Sequence, residues 1–288
     1  MAAIKGRTVL VALSLLSVFL LFYRSNNKVN TVEVVIPLEE IKEINRAKAV
    51  DPLLQENVTA DDGRLIQAIR DHFIDPPSKL KIKMSNLLVK TPQAKAVEKV
   101  LRNKKHGFYI ECGALDGERS SNTMYFERKM EWKGILIEVD PSWYRQLGGK
   151  NRNAYSMNAC LSPHTYPTKM LFEESSRGIG QLATKRSTHT KDVYCFPLLS
   201  VMLAMNQTRI DYFSLDVEGY ELEILKTIPF DKLDITTFSV EFVHLVEGRK
   251  EDIIAFMENN GYDLHTTINS NRPVWVRDYI FVKKSTKS

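Results

Sequence analysis

The stretch that decides the fold is FYIECGALDG at residues 108–117, where an apolar run ends in a turn with two glycines. Gly113 and Gly117 let the backbone turn sharply and approach a ligand closely. The turn opens a predicted helix, whose N-terminal amides can bind an acidic group. Glu111, just inside the strand end, is placed to accept a hydrogen bond from a cationic amino group. The same pattern is also typical of an ordinary packing turn.

A second stretch, GILIEVDP at residues 134–141, follows about 20 residues after the first turn. In nucleoside-binding doubly wound folds, an acid at the end of the second strand accepts hydrogen bonds from ribose hydroxyls. Glu138 is predicted to be this acid, with Asp140 as the alternative. The other interpretation is that both are solvated carboxylates at a strand end.

A third stretch, IDYFSLDVEGYELEIL at residues 210–225, places Asp216, Glu218 and Glu221 at the end of a further strand. Open α/β sheets bind ligands at the carboxyl ends of their strands. Crowded carboxylates also raise one another's pKa, which is a reason to suspect function. Capping of the next helix accounts for Glu221 and Glu218, but it does not account for Asp216.

Outward from these motifs, short apolar runs alternate with helical segments, which indicates βα units and an α/β fold with a mostly parallel sheet. Four helices are predicted between the strands, at residues 121–130, 142–147, 221–227 and 250–260. Seven strands are predicted, at residues 108–112, 134–138, 154–159, 211–216, 236–243, 265–268 and 279–283.

The strings ECGALDGERSSNT, LIEVDP and IDYFSLDVEGYELEIL resemble the FkbM-type methyltransferase domain. That family has an acid-x-Gly-Ala-x-x-Gly turn, a Glu-Pro-like end of strand two and an Asp-x-Glu-Gly-x-Glu end of strand four. The resemblance covers residues 106–284 and implies a Rossmann-like class I methyltransferase sheet of seven strands. The whole chain also resembles the Star-like family, whose members are single-pass type II proteins of the secretory pathway.

The resemblance implies S-adenosylmethionine as the cofactor and no metal. Strand two ends here in Glu-Val-Asp-Pro, so the choice between Glu138 and Asp140 stays open. Asn158 or Ala159 is expected near the adenine, and His244 after the fifth strand is a candidate general base or an ordinary strand-end residue. The predicted cofactor contacts are Glu111, Gly113, Gly117, Glu138, Asp140, Asn158 and Asp216. The predicted catalytic residues are Asp216, Glu218 and His244, with Glu221 beside them.

Residues 9–23 form an uncharged apolar run with basic residues on both sides. Its length suits either a short membrane span or the apolar core of a secretion signal. No small-x-small cleavage pattern follows it, so an uncleaved signal-anchor transmembrane helix is predicted ahead of a cleaved signal or a buried helix. The predicted organisation is a cytoplasmic tail (1–8), the anchor (9–23), a stem (24–62), N-terminal helices (63–105) and the methyltransferase-type domain (106–284).

Three cysteines, Cys112, Cys160 and Cys195, are too few for a disulfide framework. In an oxidising lumen the expected pair is Cys160 with Cys195, and the alternative is three buried thiols. The sequons at Asn57 and Asn206 are compatible with a lumenal glycoprotein. The net charge is +5, and basic and acidic residues are interspersed along the chain. No nucleic-acid partner is therefore expected.

Two functions are predicted, the first implied by the resemblance to the Star-like family and the second by the resemblance to methyltransferases. The first is a membrane-anchored Star-like protein of the endoplasmic reticulum and Golgi membranes, extending to endosomes, that escorts transmembrane or secreted cargo such as growth-factor ligands. The alternative is an active O-methyltransferase that acts on a lumenal glycan or a small molecule. A glycosyltransferase with the same type II membrane architecture is a weaker hypothesis, because the chain lacks a convincing Asp-x-Asp metal motif.

Overall fold

The structure is a computed structural model that describes the backbone of residues 9–12, 18–25 and 28–35, and residues 37–85, 88–175, 178–242, 249–270 and 276–285. The chain divides into two compact units, Met1–Pro52 and Leu53–Ser288.

The first unit contains an antiparallel three-stranded sheet, β1 (Val9–Ala12), β2 (Val18–Ser25) and β3 (Lys28–Val35), followed by helix α1 (Leu38–Val50). The described part of the predicted anchor is therefore extended, and the transmembrane-helix prediction is not supported. No helix among the described residues has both the length and the apolar character needed to cross a bilayer. A short apolar run has no periodicity that separates helix from strand, and this one mixes Leu, which favours helices, with Val and Phe, which favour strands.

The second unit holds the remaining elements. Its helices are α2 (Gly63–His72), α3 (Pro92–Val100), α4 (Met124–Met130), α5 (Pro141–Gly148), α6 (Leu198–Ala204), α7 (Glu221–Lys226) and α8 (Arg249–Asn259). Its strands are β4 (Ile74–Asp75), β5 (Phe108–Cys112), β6 (Lys133–Ile137), β7 (Tyr155–Met157), β8 (Cys160–Leu161), β9 (Thr168–Glu173), β10 (Gln181–Ala183), β11 (Thr190–Phe196), β12 (Arg209–Leu215), β13 (Asp234–Glu241), β14 (Tyr262–Ser270) and β15 (Val276–Lys283).

The main sheet has the order β14-β15-β13-β12-β5-β6-β7-β4. The pairs from β13 through β7 are parallel, whereas β15 is antiparallel to both β13 and β14. The seven predicted strands are confirmed, and β4 joins them as an antiparallel edge strand. From β5 the chain moves outward to β6 and β7 and then returns to β12 on the other side of β5. This reversal creates a crevice at the carboxyl ends of β5 and β12, where such sheets bind ligands.

The main sheet is buried by helices on its faces, as parallel sheets are. Strand β12 shows this directly, because Tyr212 and Phe213 point to opposite faces and both are fully buried. Helices α2 and α3, predicted as a separate N-terminal region, belong to this unit, as do Leu53 and Val58 of the predicted stem, which are both buried. The division between the two compact units lies after Pro52.

A second sheet, of order β10-β9-β11-β8, was not predicted. Its strands β9 and β11 mix lysines and carboxylates with apolar residues, so their apolar pattern is weak in the sequence. The predicted pair of cysteines is confirmed here, since Cys160 and Cys195 face each other on β8 and β11 and form a disulfide. Cys112 on β5 is a buried free thiol.

Candidate functional site

The turn after β5 joins the ends of three strands. Gly113 has a φ of +83°, and a Cβ atom there would overlap the carbonyl oxygen of Asp216, so only glycine fits. The Gly113 amide donates to Ile137 O at 3.0 Å, and the Ala114 amide donates to the same oxygen at 3.2 Å. The ends of β5, β6 and β12 therefore meet at this turn.

Glu138 directly follows β6 and lies against the turn. Its Oε2 accepts a hydrogen bond from the Leu115 amide at 2.7 Å, and its Oε1 accepts one from the Asp140 amide at 2.8 Å. Burial raises the pKa of Glu138 to about 7, even though both amides favour the charged form. An ionised carboxylate has about four acceptor positions, so both oxygens can accept further bonds from a ligand. The predicted acid and the predicted bend are thus side by side.

Asp140, the alternative acid, is the N-cap residue of α5. Its Oδ1 accepts hydrogen bonds from the amides of Ser142 at 2.7 Å and Trp143 at 3.3 Å. This role orients the carboxylate toward the start of the helix. The geometry therefore favours Glu138 over Asp140 as the acid that faces a ligand.

A cleft of about 700 Å³, including space open to solvent, lies at these strand ends. Among the predicted site residues, the cleft is lined by Gly113, Glu138, Asp140, Asp216 and Glu218. Residues from three separate stretches of sequence are therefore gathered at one site.

One end of the cleft is apolar and is covered by the β9–β10 hairpin. Trp143 Nε1 donates to Ser175 O at 3.3 Å, which ties the start of the hairpin loop to α5. Gly178 and Gly180 of that loop reach the cleft. The apolar side chains that line this end are Val139, Ala159, Leu161, Phe172 and Leu182. The position of Phe172 and Leu182 was not foreseen, because their strands were not predicted.

The other end of the cleft carries Asp216 and Glu218. Glu218 has a φ of +58°, a conformation that is uncommon for a residue with a side chain and that recurs at functional sites. Its side chain is partly buried, and this burial, followed by the nearby charge of Glu221, raises its pKa to about 7. Glu218 is thus a carboxylate that exchanges its proton near neutral pH inside the cleft.

Glu221 is the first residue of α7, and its side chain bonds to the turn that precedes the helix. Its carboxylate accepts hydrogen bonds from the amides of Val217 at 3.0 Å and Gly219 at 3.1 Å. Burial nevertheless raises its pKa to about 7. Glu221 therefore shapes the turn that presents Asp216 and Glu218.

Three carboxylates lie close together, those of Asp216, Glu221 and Glu241. One oxygen of each lies within 4.8 Å of one oxygen of the other two. Carboxylate oxygens are the ligands that Mg²⁺ and Ca²⁺ prefer, so these three residues could hold a hard cation. Burial, then the charges of Asp216 and Glu218, holds the pKa of Glu241 well above its usual range. Protons thus offset part of the negative charge of this cluster. His244, the predicted base beyond Glu241, lies outside the described residues.

Three predicted cofactor contacts do not line the cleft. Glu111 is buried below the turn, where its carboxylate accepts hydrogen bonds from Ser121 Oγ at 2.8 Å and the Asn122 amide at 2.6 Å. A Cβ atom on Gly117 would meet Leu147, away from the cleft. Asn158 donates to Glu138 O at 2.8 Å. Glu111 and Asn158 thus bond to backbone near the cleft without lining it.

Arg152 is a supporting residue that the sequence gave no reason to select. It is buried, its Nε donates to Glu127 Oε2 at 2.9 Å, and its Nη1 donates to the carbonyl oxygen of Gly117. A buried arginine needs such partners. It thereby holds the far side of the glycine turn.

The sequence pattern of the methyltransferase FkbM domain matches residues 111–264, which is more than half of the chain. The chain belongs to this family. The matched residues begin at Glu111 and include Gly113, Glu138 and Asp216, which are the positions that meet at the cleft. No curated protein matches the chain.

Solved methyltransferase structures are similar at low identity. The FkbM methyltransferase from Methylobacillus flagellatus KT is 11% identical, with 84% of this chain and 60% of that chain covered and a TM-score of 0.41. The magnesium protoporphyrin IX methyltransferase from Synechocystis PCC 6803, solved with bound S-adenosylmethionine, is 11% identical over 66% of this chain and 79% of that chain, with a TM-score of 0.38. The precorrin-6y C5,15-methyltransferase from Geobacter metallireducens GS-15 is 12% identical over 69% and 92%, with a TM-score of 0.36.

Proposed function

We propose that this methyltransferase FkbM domain binds S-adenosylmethionine in the cleft and transfers the methyl group to an oxygen of an acceptor. The observation that carries the proposal is the hydrogen bond between Glu138 and the turn that begins at Gly113. It places an acid of the second strand at the glycine turn of the first, which is the arrangement that holds a nucleoside in doubly wound folds.

The residues of the cleft fit this cofactor. The apolar end beneath the hairpin suits an adenine ring, and Glu138 lies where the ribose hydroxyls would follow. At the opposite end, Asp216 and Glu218 complement the positive charges of the sulfonium and ammonium groups.

S-adenosylmethionine supplies a methyl group that is already electrophilic, so the chain must mainly orient the acceptor and accept a proton. Glu218 is our choice for the proton acceptor, because it is partly buried in the cleft and its pKa is raised to about 7. A base with a pKa near the working pH is the most effective. Asp216, fixed beside the Gly113 turn, orients the acceptor hydroxyl.

Titration calorimetry of the full chain with S-adenosylmethionine tests the binding. We expect saturable binding, and we expect Glu138→Ala to weaken it by at least about tenfold, since hydrogen bonds to a charged group contribute about 1.5–3 kcal/mol. Glu258→Ala, an exposed glutamate outside the cleft, is the matched control and should bind like the wild type. If the wild-type chain binds no cofactor at millimolar concentration, the proposal is wrong.

As a second candidate, we propose that the domain acts in the secretory pathway as a Star-like cargo escort, held at the membrane through its N-terminal region in a type II orientation. The disulfide between Cys160 and Cys195 favours an oxidising compartment. The sequon residues Asn57 and Asn206 are both exposed and are thus accessible to glycosylation. These observations support a lumenal location and leave the cargo open.

The two candidates differ in whether the cleft matters. Glu138→Ala and Asp216→Ala should leave cargo transport intact if the domain is only an escort scaffold, and should impair it if cofactor chemistry is required. Removal of a lumenal glycan from the wild-type chain should increase its gel mobility, whereas Asn57→Gln combined with Asn206→Gln should abolish that change. A chain without glycans in secreting cells would count against the lumenal location.

A further inference from the structure

Between β4 and α3, the five residues Lys79, Leu80, Lys81, Ile82 and Lys83 form an exposed strip that alternates cationic and aliphatic side chains. Leu80 is 71% exposed and Ile82 is 38% exposed, which places both among the most exposed large apolar residues described. No carboxylate lies within ion-pair distance of these three lysines in the part of the chain that the structure describes. The three lysines of the strip therefore have no carboxylate partner there.

The backbone of the strip is fixed. The Ser78 amide donates to Arg152 O at 3.2 Å, and the Lys83 amide donates to Lys150 O at 2.9 Å. Between them, Asn151 Nδ2 donates to Lys81 O at 3.1 Å. Because the backbone is ordered at both ends, the exposed side chains are already displayed for binding and little backbone entropy remains to be lost.

The carboxylates beside the strip are paired with a lysine outside it. Lys150, which lies beside the strip, is paired with Asp116 at 3.2 Å and Glu118 at 2.6 Å. The Ser85 amide also donates to Glu118 Oε1 at 2.6 Å. The acidic groups near the strip are thus occupied by other partners, and the strip keeps its positive charge.

We propose that the strip at residues 79–83 is a docking surface for a membrane that contains anionic phospholipids. Lysines attract the phosphate and carboxylate groups of the lipid surface, while aliphatic side chains between them enter the boundary of the acyl chains. Protein interfaces, in contrast, are poor in lysine and rely on tryptophan, tyrosine and arginine, none of which occurs in the strip. The composition thus favours a lipid surface over an acidic protein.

The test needs a local signal, because the apolar run at residues 9–23 can itself bind lipid. The substitution Leu80→Cys in the full chain provides a thiol to which an environment-sensitive dye is attached at residue 80. Labelling is selective, since Cys112 is buried and the other two cysteines are paired. Ile179→Cys, which is at another exposed apolar residue (52% exposed), is the matched control.

With vesicles of phosphatidylcholine containing about a third phosphatidylserine, we expect the dye at residue 80 to shift to the blue and the dye at residue 179 to stay unchanged. Pure phosphatidylcholine should give no shift at either position. In the Leu80→Cys chain, joint replacement of Lys79, Lys81 and Lys83 by Gln should raise the lipid concentration for half-maximal shift on the order of 100-fold, at about fivefold per lysine.

Three results would overturn the proposal. They are no shift at residue 80 with anionic vesicles, a shift that pure phosphatidylcholine also produces, and a shift that the three lysine substitutions leave unchanged. An equal shift with soluble polyglutamate in place of lipid would assign the strip to an acidic protein instead. None of these outcomes depends on whether the cleft binds a cofactor.

Discussion

The two ends of the cleft use carboxylates in different ways. Glu138 receives two backbone amides and lies in a well-defined position beside the glycine turn. At the other end, Asp216 and Glu218 are crowded by the carboxylates of Glu221 and Glu241, and burial together with like charge keeps protons on part of the group. We therefore expect Glu138 to hold a ligand in place, and we expect the carboxylates around Glu218 to exchange protons. Substitutions at the two ends should therefore have different effects.

The largest effect is expected for Gly113→Ala, which affects both ends. The new methyl group would overlap the carbonyl oxygen of Asp216 at a backbone φ of +83°. We expect a loss of about 3 kcal/mol or more in the free energy of unfolding and loss of cofactor binding. Urea denaturation measures the first quantity and calorimetry the second.

Gly148→Ala is the matched control, because no atom lies within 4 Å of a Cβ atom at that position in α5. It should stabilise the chain by about 0.5–1 kcal/mol through helix propensity. Equal stability losses in both variants would show that the close approach at Gly113 is not the cause.

The second prediction concerns the holding end. The pKa of Glu138 rises from 4.5 in the unfolded chain to about 7 in the folded chain. Between these values the folded chain binds more protons, so the stability contributed by this group is greatest at low pH and falls as the pH rises to about 7. The rise in pKa corresponds to about 3 kcal/mol.

Glu138→Gln should remove this pH dependence. Relative to the wild type, the variant should gain about 3 kcal/mol in unfolding free energy between pH of about 4.5 and 8, whatever its stability at the lower pH. Denaturant titrations across that range measure the difference. Parallel curves for the two proteins would contradict the burial of an ionisable carboxylate beside the turn.

The third prediction concerns the proton-exchanging end. Because the pKa of Glu218 is about 7, its ionised fraction rises with pH across neutrality. The affinity for the cationic cofactor should therefore increase by up to about tenfold between pH of about 6 and 8. Glu218→Gln should flatten this pH profile and keep the affinity measured at low pH. An unchanged profile would assign the proton exchange to another group.

The smallest effect is expected at the hairpin that covers the apolar end. Trp143→Phe keeps an aromatic ring and removes the hydrogen bond to Ser175 O. Cofactor affinity should fall by a few-fold, consistent with about 0.5–1.5 kcal/mol for one hydrogen bond, and stability should change little. A larger loss of stability than of affinity would mean that Trp143 serves packing and not closure of the cleft.

Much of the site could be predicted from the sequence because its motifs lie at strand ends. Gly113, Glu138, Asp216 and Glu218 each follow an apolar strand, and a parallel sheet brings such ends together. Glu111 was misplaced for a related reason, since a residue within a strand can point to either face of the sheet. Its bonds to residues 121–123 show the face that the sequence left open.

The regions that were missed depend on contacts between distant parts of the chain. The strands β9 to β11 have weak apolar alternation and form a sheet only by pairing with one another and with β8. The apolar run at residues 9–23 was predicted as a helix because of its length and hydrophobicity. Its described residues pair as strands instead. Because the run has no clear hydrophobic period, pairing with neighbouring backbone determines whether it forms a helix or a strand.

The sequence by itself determined the alternating α/β architecture, the glycine turn and the acids that follow the strands, because these depend on local patterns of glycine, apolar residues and charge. Only the tertiary structure showed that Glu138 bonds to the glycine turn whereas Asp140 caps α5, paired Cys160 with Cys195 and placed a hairpin over the cleft. Those choices depend on which backbone amides and apolar faces lie nearby in space, and residues far apart in sequence supply them.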